Sequence, residues 1–195
     1  MKSTIQYNPP DHYLLDDLFT VEQKMVRSTI RDWVNNSVKP IIEEYCDKAK
    51  FPMHLVKEMG EIGAFGPFIP SEYGGSDLDH VSYGLIMQEL ERGDSGIRSM
   101  ASVQTSLVMY PIFSFGSEEQ KKKYLPRLAT GEFIGCFGLT EPDSGSDPGS
   151  MSTKVKDMGD HYLLNGAKMW ITNSSIADIA IVWAKDENNI VRGMI

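Results

Sequence analysis

Two short stretches hold the residue types best suited to chemistry. The first, Phe137-Gly138-Leu139-Thr140-Glu141-Pro142-Asp143-Ser144-Gly145-Ser146-Asp147, runs from an apolar segment into a tight polar turn. Such a turn offers hydroxyls and backbone N–H groups to a ligand. The second, Lys168-Met169-Trp170-Ile171-Thr172-Asn173, reads as a strand, so Trp170 and Thr172 share one face. An aromatic wall, a hydroxyl beside it and a row of amide donors form the set that a flavin requires. Singly, each stretch has an ordinary reading: Trp170 as a core aromatic, residues 142–147 as a surface turn. Taken together, the two stretches would supply that set.

The elements that position these residues must come from a chain of 195 residues, enough for one large domain or two small ones. Apolar content of 41% and charged content of 24% suit a globular protein. A net charge of −8 argues against a nucleic-acid surface, which needs clustered cations. The basic run Lys121-Lys122-Lys123 adjoins Glu118 and Glu119 and reads as a solvated helix face. No apolar run is long enough to span a bilayer. Residues 1–8 resemble neither a secretory signal nor an organelle presequence, so a cytoplasmic location is expected. Cys46 and Cys136 suggest two unremarkable thiols rather than a disulfide or metal site. His12, His54, His80 and His161 have no partners at motif spacing and read as surface residues.

Residues 20–130 read mostly as five or six helices. Thr20-Val21-Glu22-Gln23 and Ser117-Glu118-Glu119-Gln120 both have the capping-box form. Val26, Ile30, Trp33 and Val34 recur at helical spacing after the first. Pro40 suits the first turn of a new helix. Further helices are expected over 53–62, 78–92 and 97–109, with Gly93 and Gly96 as an interruption and residues 70–75 as a loop. Tyr124, Leu125 and Leu128 belong to the helix opened by the second capping box.

The pattern changes after Gly131. Residues 133–139 suit a buried strand. Asn165-Gly166, between 161–164 and 167–171, signals a hairpin turn. Residues 179–184 read as another strand, followed by the turn Asp186-Glu187-Asn188-Asn189 and a strand over 190–195. The fold class is therefore α+β, a helical domain over 1–132 and a β domain over 133–195 whose sheet stops without a closing element.

With these motifs in place, the sequence resembles the front part of an acyl-CoA dehydrogenase. The match extends from about residue 20 to residue 195, through Phe51-Pro52, Pro70-Ser71-Glu72-Tyr73-Gly74-Gly75, Gly116-Ser117-Glu118-Glu119-Gln120 and Tyr124-Leu125-Pro126. Within that family, Glu91-Arg92-Gly93-Asp94-Ser95-Gly96-Ile97-Arg98-Ser99, Ser102-Val103-Gln104 and Cys136-Phe137-Gly138-Leu139-Thr140 look most like the glutaryl-CoA dehydrogenases.

The resemblance implies a helical N-terminal domain, a central β domain and a C-terminal four-helix bundle, in a homotetramer when complete. The family's catalytic glutamate lies in that bundle, for which this sequence has no residues. No carboxylate here is assigned as the base, Glu141 included, and the chain alone is expected to be inactive. FAD contacts are implied for Phe137, Gly138, Leu139, Thr140, Ser146, Trp170, Ile171 and Thr172, with Thr172 near flavin N5. Glu91, Arg98, Ser99, Ser102 and Ser146 are implied as substrate contacts. Arg98 would face the far carboxylate of a glutaryl chain, because a carboxylate in an apolar pocket needs a cation. The ordinary reading of Arg98 is an ion pair with Glu91 or Asp94.

The implied reaction is α-proton removal with hydride transfer from the β carbon to FAD. For glutaryl-CoA, loss of carbon dioxide then gives crotonyl-CoA. Electrons would pass to an electron-transfer flavoprotein. Two alternatives remain: a generic short-chain dehydrogenase in which Arg98 is structural, and a non-catalytic fragment or half of a split enzyme.

Overall fold

A computed structural model describes residues 10–195 of the chain; the reading of residues 1–8 lies outside the described residues. Helix α1 (Val21–Trp33) starts at the expected capping box, with the Thr20 hydroxyl accepting the Gln23 N–H at 3.2 Å and the Gln23 side chain accepting the Thr20 N–H at 3.0 Å. It continues into a π-helical segment, Val34–Val38. Helices α2 (Ile42–Asp47) and α3 (His54–Glu61) are short. Pro40 sits in the turn before α2 rather than inside its first turn, since the cap residue is Ile41.

Helix α4 (His80–Gly93) and helix α5 (Ser95–Ser102) meet at Asp94, whose carboxylate accepts the Ile97 N–H at 2.9 Å. Asp94 thus supplies the break, and Gly96 lies within α5 rather than interrupting it. Helix α5 runs through the π-helical segment Val103–Met109 into α6 (Tyr110–Phe115), a longer rod than expected. Helix α7 (Glu118–Ala129) opens at the second capping box. Among the described residues this gives seven α-helices, forming six continuous rods because the π-helical segment Val103–Met109 joins α5 to α6, while Val34–Val38 only extends α1. Ile30, Val34, Leu55, Met59, Phe65 and Leu90 are fully buried in the helical core. The buried Glu89 carboxylate ties α1 to α4 by pairing with Arg31 at 2.6 Å and Arg92 at 2.7 Å.

The sheet has five strands: β1 (Gly135–Gly138), β2 (Lys154–Asp157), β3 (Tyr162–Asn165), β4 (Ile179–Lys185) and β5 (Val191–Met194). Strand β4 is central, parallel to β1 with Phe137 opposite Ile181, parallel to the start of β2, and antiparallel to β5. Strand β3 pairs antiparallel with β2.

The expected hairpin is displaced. Strand β2 lies outside the strands expected from the sequence, and the turn falls at residues 158–161, between β2 and β3, instead of at Asn165-Gly166. Met158 donates to the His161 carbonyl at 2.9 Å, and Gly159 adopts φ 96° there. Gly166 serves close approach instead: a Cβ on it would lie 2.3 Å from Thr153 Oγ1. Residues 167–171 consequently form no strand. The Asp186 turn stands as read, with the Asp186 N–H bonding the Ile190 carbonyl at 2.9 Å. No helix among the described residues is long and apolar enough to cross a membrane.

Candidate functional site

The two stretches singled out from the sequence converge on one cleft of about 330 Å³. Phe137, Leu139 and Thr140 line it from the end of β1, and Trp170, Ile171 and Thr172 line it from the loop between β3 and β4. The opposite wall, Val103 and Leu107, comes from the π-helical segment and was missed by sequence reasoning. Their i, i+4 spacing immediately after Ser102 was the available signal. Gly138 lies buried in β1 behind the lining, where a Cβ would touch the Lys168 side chain at 3.4 Å. Ser146 is exposed in the polar turn and does not line the cleft.

Residues 168–173 do not form the expected strand. The loop follows β1 in the antiparallel sense, held by single ties instead of a ladder. The Met169 N–H donates to the Thr140 carbonyl at 2.9 Å, Lys168 Nζ to the Leu139 carbonyl at 3.0 Å, and Asn173 Nδ2 to the Gly135 carbonyl at 3.1 Å. Trp170 has φ 60° and Asn173 φ 69°, a backbone state incompatible with pleating. Trp170 and Thr172 therefore flank the cleft without the alternation of a strand. Trp170 is 85% exposed, which removes the core-aromatic reading.

The helical wall and β1 are locked together behind the cleft. Gln104, fully buried, accepts the Gly135 N–H at 2.8 Å and donates to the Leu128 and Phe133 carbonyls at 2.9 and 2.7 Å. Gly135 permits the approach, since a Cβ there would lie 2.5 Å from a Val108 methyl.

Glu141 is buried beneath the polar turn. Its carboxylate pairs with Lys168 at 2.8 Å and accepts the Ser152 and Thr153 N–H groups at 2.6 and 2.9 Å. Burial alone would raise its pKa, but the ammonium and the two amides outweigh it and hold it at about 2. A carboxylate so stabilised as an anion is a poor proton acceptor, so the geometry gives Glu141 no basic role.

Glu91, Arg98, Ser99 and Ser102 form a separate cluster on α4 and α5. Arg98 Nε donates to Glu91 at 2.6 Å and Nη1 to the Ser102 hydroxyl at 3.3 Å, while Ser102 itself donates to the Ser99 carbonyl. The Ser95 hydroxyl also donates to Glu91, and these bonds, Arg98 first, lower the Glu91 pKa. Arg98 pairs with Glu91 and not with Asp94, and its side chain is 35% exposed.

The cleft suits a flat, partly polar ring. Its lining is mostly apolar or aromatic, and Thr140 and Thr172 add two hydroxyl-bearing side chains to it. The Leu139 and Thr140 carbonyls are occupied by the loop, whereas their N–H groups make no hydrogen bond among the described residues. Free amides beside an apolar slot are the donors a flavin's pyrimidine edge would use.

Residues 20–132 match the acyl-CoA dehydrogenase N-terminal domain, and residues 136–194 match the acyl-CoA dehydrogenase middle domain. A glutaryl-CoA dehydrogenase of Desulfococcus multivorans is 40% identical over 173 residues, covering 87% of this chain and 44% of that protein. A short-chain-specific acyl-CoA dehydrogenase of Clostridium acetobutylicum is 43% identical over 172 residues, covering 87% and 45%. The crystal structure of a glutaryl-CoA dehydrogenase from Mycobacterium smegmatis in complex with FADH2 superposes with a TM-score of 0.88 at 47% identity, covering 91% of this chain and 46% of that one. The chain thus spans under half the length of these relatives. Matched in both its helical and its sheet half, with the cleft at their junction, the chain belongs to the acyl-CoA dehydrogenase family.

Proposed function

We propose that this chain binds FAD in the cleft between the π-helical segment and β1, as the front part of an enzyme that oxidises an acyl-CoA. The observation that carries the reading is the convergence of Leu139, Thr140, Trp170 and Thr172 on one cleft, although the two stretches are separated in sequence. Bound FAD would supply the hydride acceptor for α,β-dehydrogenation in the complete protein. Trp170 would cover one face of the ring, Thr172 would hydrogen-bond near flavin N5, and the Leu139 and Thr140 amides would bind the ring's polar edge. Phe137, Gly138 and Ile171 would complete the wall, and Ser146 would reach the flavin or the thioester end of the ligand. The domain boundary falls between residues 132 and 133.

For the complete protein we favour glutaryl-CoA, decarboxylated to crotonyl-CoA, with an electron-transfer flavoprotein as acceptor and a homotetrameric assembly. The support is the Glu91, Arg98, Ser99 and Ser102 cluster, which offers a cation and hydroxyls in one place. A second reading, a short-chain dehydrogenase for neutral acyl groups, is favoured by the pairing of Arg98 with Glu91 at 2.6 Å, which already satisfies the cation. Turnover is expected to require the remaining length of the family.

The test is direct. The purified chain is mixed with FAD and separated by gel filtration, and its visible spectrum is recorded. A retained flavin with a shifted absorption band is expected. Complete loss of flavin from a folded chain would remove the cofactor reading.

A further inference from the structure

We infer that Lys168 and Glu141 are a positioning pair that holds the two halves of the cleft in register. Neither residue lines the cleft, yet both lie directly behind it, with side chains only 11% and 5% exposed. Lys168 Nζ bonds the Leu139 carbonyl at 3.0 Å and the Glu141 carboxylate at 2.8 Å. Glu141 in turn holds the Ser152 and Thr153 amides. One ammonium therefore ties together the end of β1, the segment leading into β2 and the loop that carries Trp170 and Thr172.

The loop has few other anchors. Its backbone contributes the Met169–Thr140 bond, and beyond it the Asn173 side chain reaches Gly135. With Trp170 in the left-handed region and exposed, apolar packing does little to fix the loop. Removing the Lys168 ammonium would leave a carboxylate buried without its cation and would free the Leu139 carbonyl. The loop would then lose its register against β1, and with it the spacing between the Trp170–Thr172 side and the Leu139–Thr140 side. The positioning role extends the cofactor reading and rests on it for its consequence, whereas the hold on the loop stands on geometry alone.

The experiment uses the full 195-residue chain with Lys168→Met, Glu141→Gln and Lys168→Arg. Amide hydrogen exchange over residues 166–173 is compared with β4 as an internal reference, and FAD affinity is measured by quenching of flavin fluorescence. Lys168→Met and Glu141→Gln are expected to accelerate exchange of the Met169 amide at least tenfold more than they accelerate that of the β4 amides. Both should weaken FAD binding tenfold or more, and Lys168→Arg should recover most of each loss. Unchanged exchange over 166–173 overturns the inference, as does faster exchange with unaltered FAD affinity. If Lys168→Met fails to fold, the isosteric Glu141→Gln decides by the same criteria. If the unaltered chain binds no FAD, the cofactor reading falls, and exchange alone judges the hold on the loop.

Discussion

Gln104 accepts the Gly135 N–H at 2.8 Å from inside the π-helical segment, so one buried amide joins the helical half to the first strand of the sheet. The same side chain also satisfies the Leu128 and Phe133 carbonyls. The cleft wall at Val103 and Leu107 is carried by the same π-helical segment, and its distance from β1 depends on this junction.

Gln104→Met is therefore expected to destabilise the fold far more than a surface change. It keeps side-chain volume but leaves the Gly135 N–H and the Phe133 carbonyl without a partner, each costing about 1–3 kcal/mol before relaxation, while the Leu128 carbonyl keeps the Gly131 N–H at 3.2 Å. A net loss of about 3 kcal/mol is expected, read from urea unfolding. A loss below about 1 kcal/mol would mean that water or neighbouring groups replace the amide.

The sequence made the helical half legible because its signals are local. Both capping boxes and the apolar spacing of α1, α4 and α7 act within one or two turns. It failed where the deciding contact was distant. Asn165-Gly166 has the form of a hairpin turn, but Gly166 is set by the approach of Thr153, across the whole β2–β3 hairpin, a contact no local pattern encodes. The cleft residues were found by type and order, whereas Val103, Gln104 and Lys168 act only through tertiary partners.

Acid stability should carry the signature of Glu141. Its folded pKa of about 2 lies below the ordinary value of 4.5, so its ionisation stabilises the fold above the ordinary value. That contribution disappears as pH falls from about 4.5 towards 2, the window set by the two values. Glu141→Gln should lower stability near neutral pH by about 2 kcal/mol and flatten the acid limb of the stability curve. Parallel curves for the two proteins between about pH 5 and pH 2.5 would assign the acid sensitivity elsewhere.

Trp170→Ala should separate stability from cofactor retention. The indole is 85% exposed, so its removal should change stability by less than about 0.5 kcal/mol. FAD retention should nonetheless fall, because one apolar wall of the cleft is gone. Thr172→Val keeps the shape and removes the hydroxyl, and is expected to cost about 0.5–1.5 kcal/mol of flavin binding. Thermal melts and flavin titration on the same samples provide the check. Unchanged flavin binding in both folded variants would place the ring elsewhere.

Arg98→Met tests the substrate proposal and must be made in a complete protein carrying these residues. The substitution retains side-chain length and removes the cation that now pairs with Glu91. If Arg98 receives a terminal carboxylate, glutaryl-CoA would enter beside an unpaired Glu91 and be repelled by it. Butyryl-CoA, with no charge at that end, would find a more apolar surface. The ratio of kcat/KM for glutaryl-CoA over butyryl-CoA should fall by tenfold or more, about 1.4 kcal/mol of discrimination. Partial exposure of Arg98 argues against a much larger effect, since water screens the pair before substrate arrives. A ratio that moves less than twofold in a folded, flavin-loaded variant would make the Arg98–Glu91 pair structural and favour the short-chain reading.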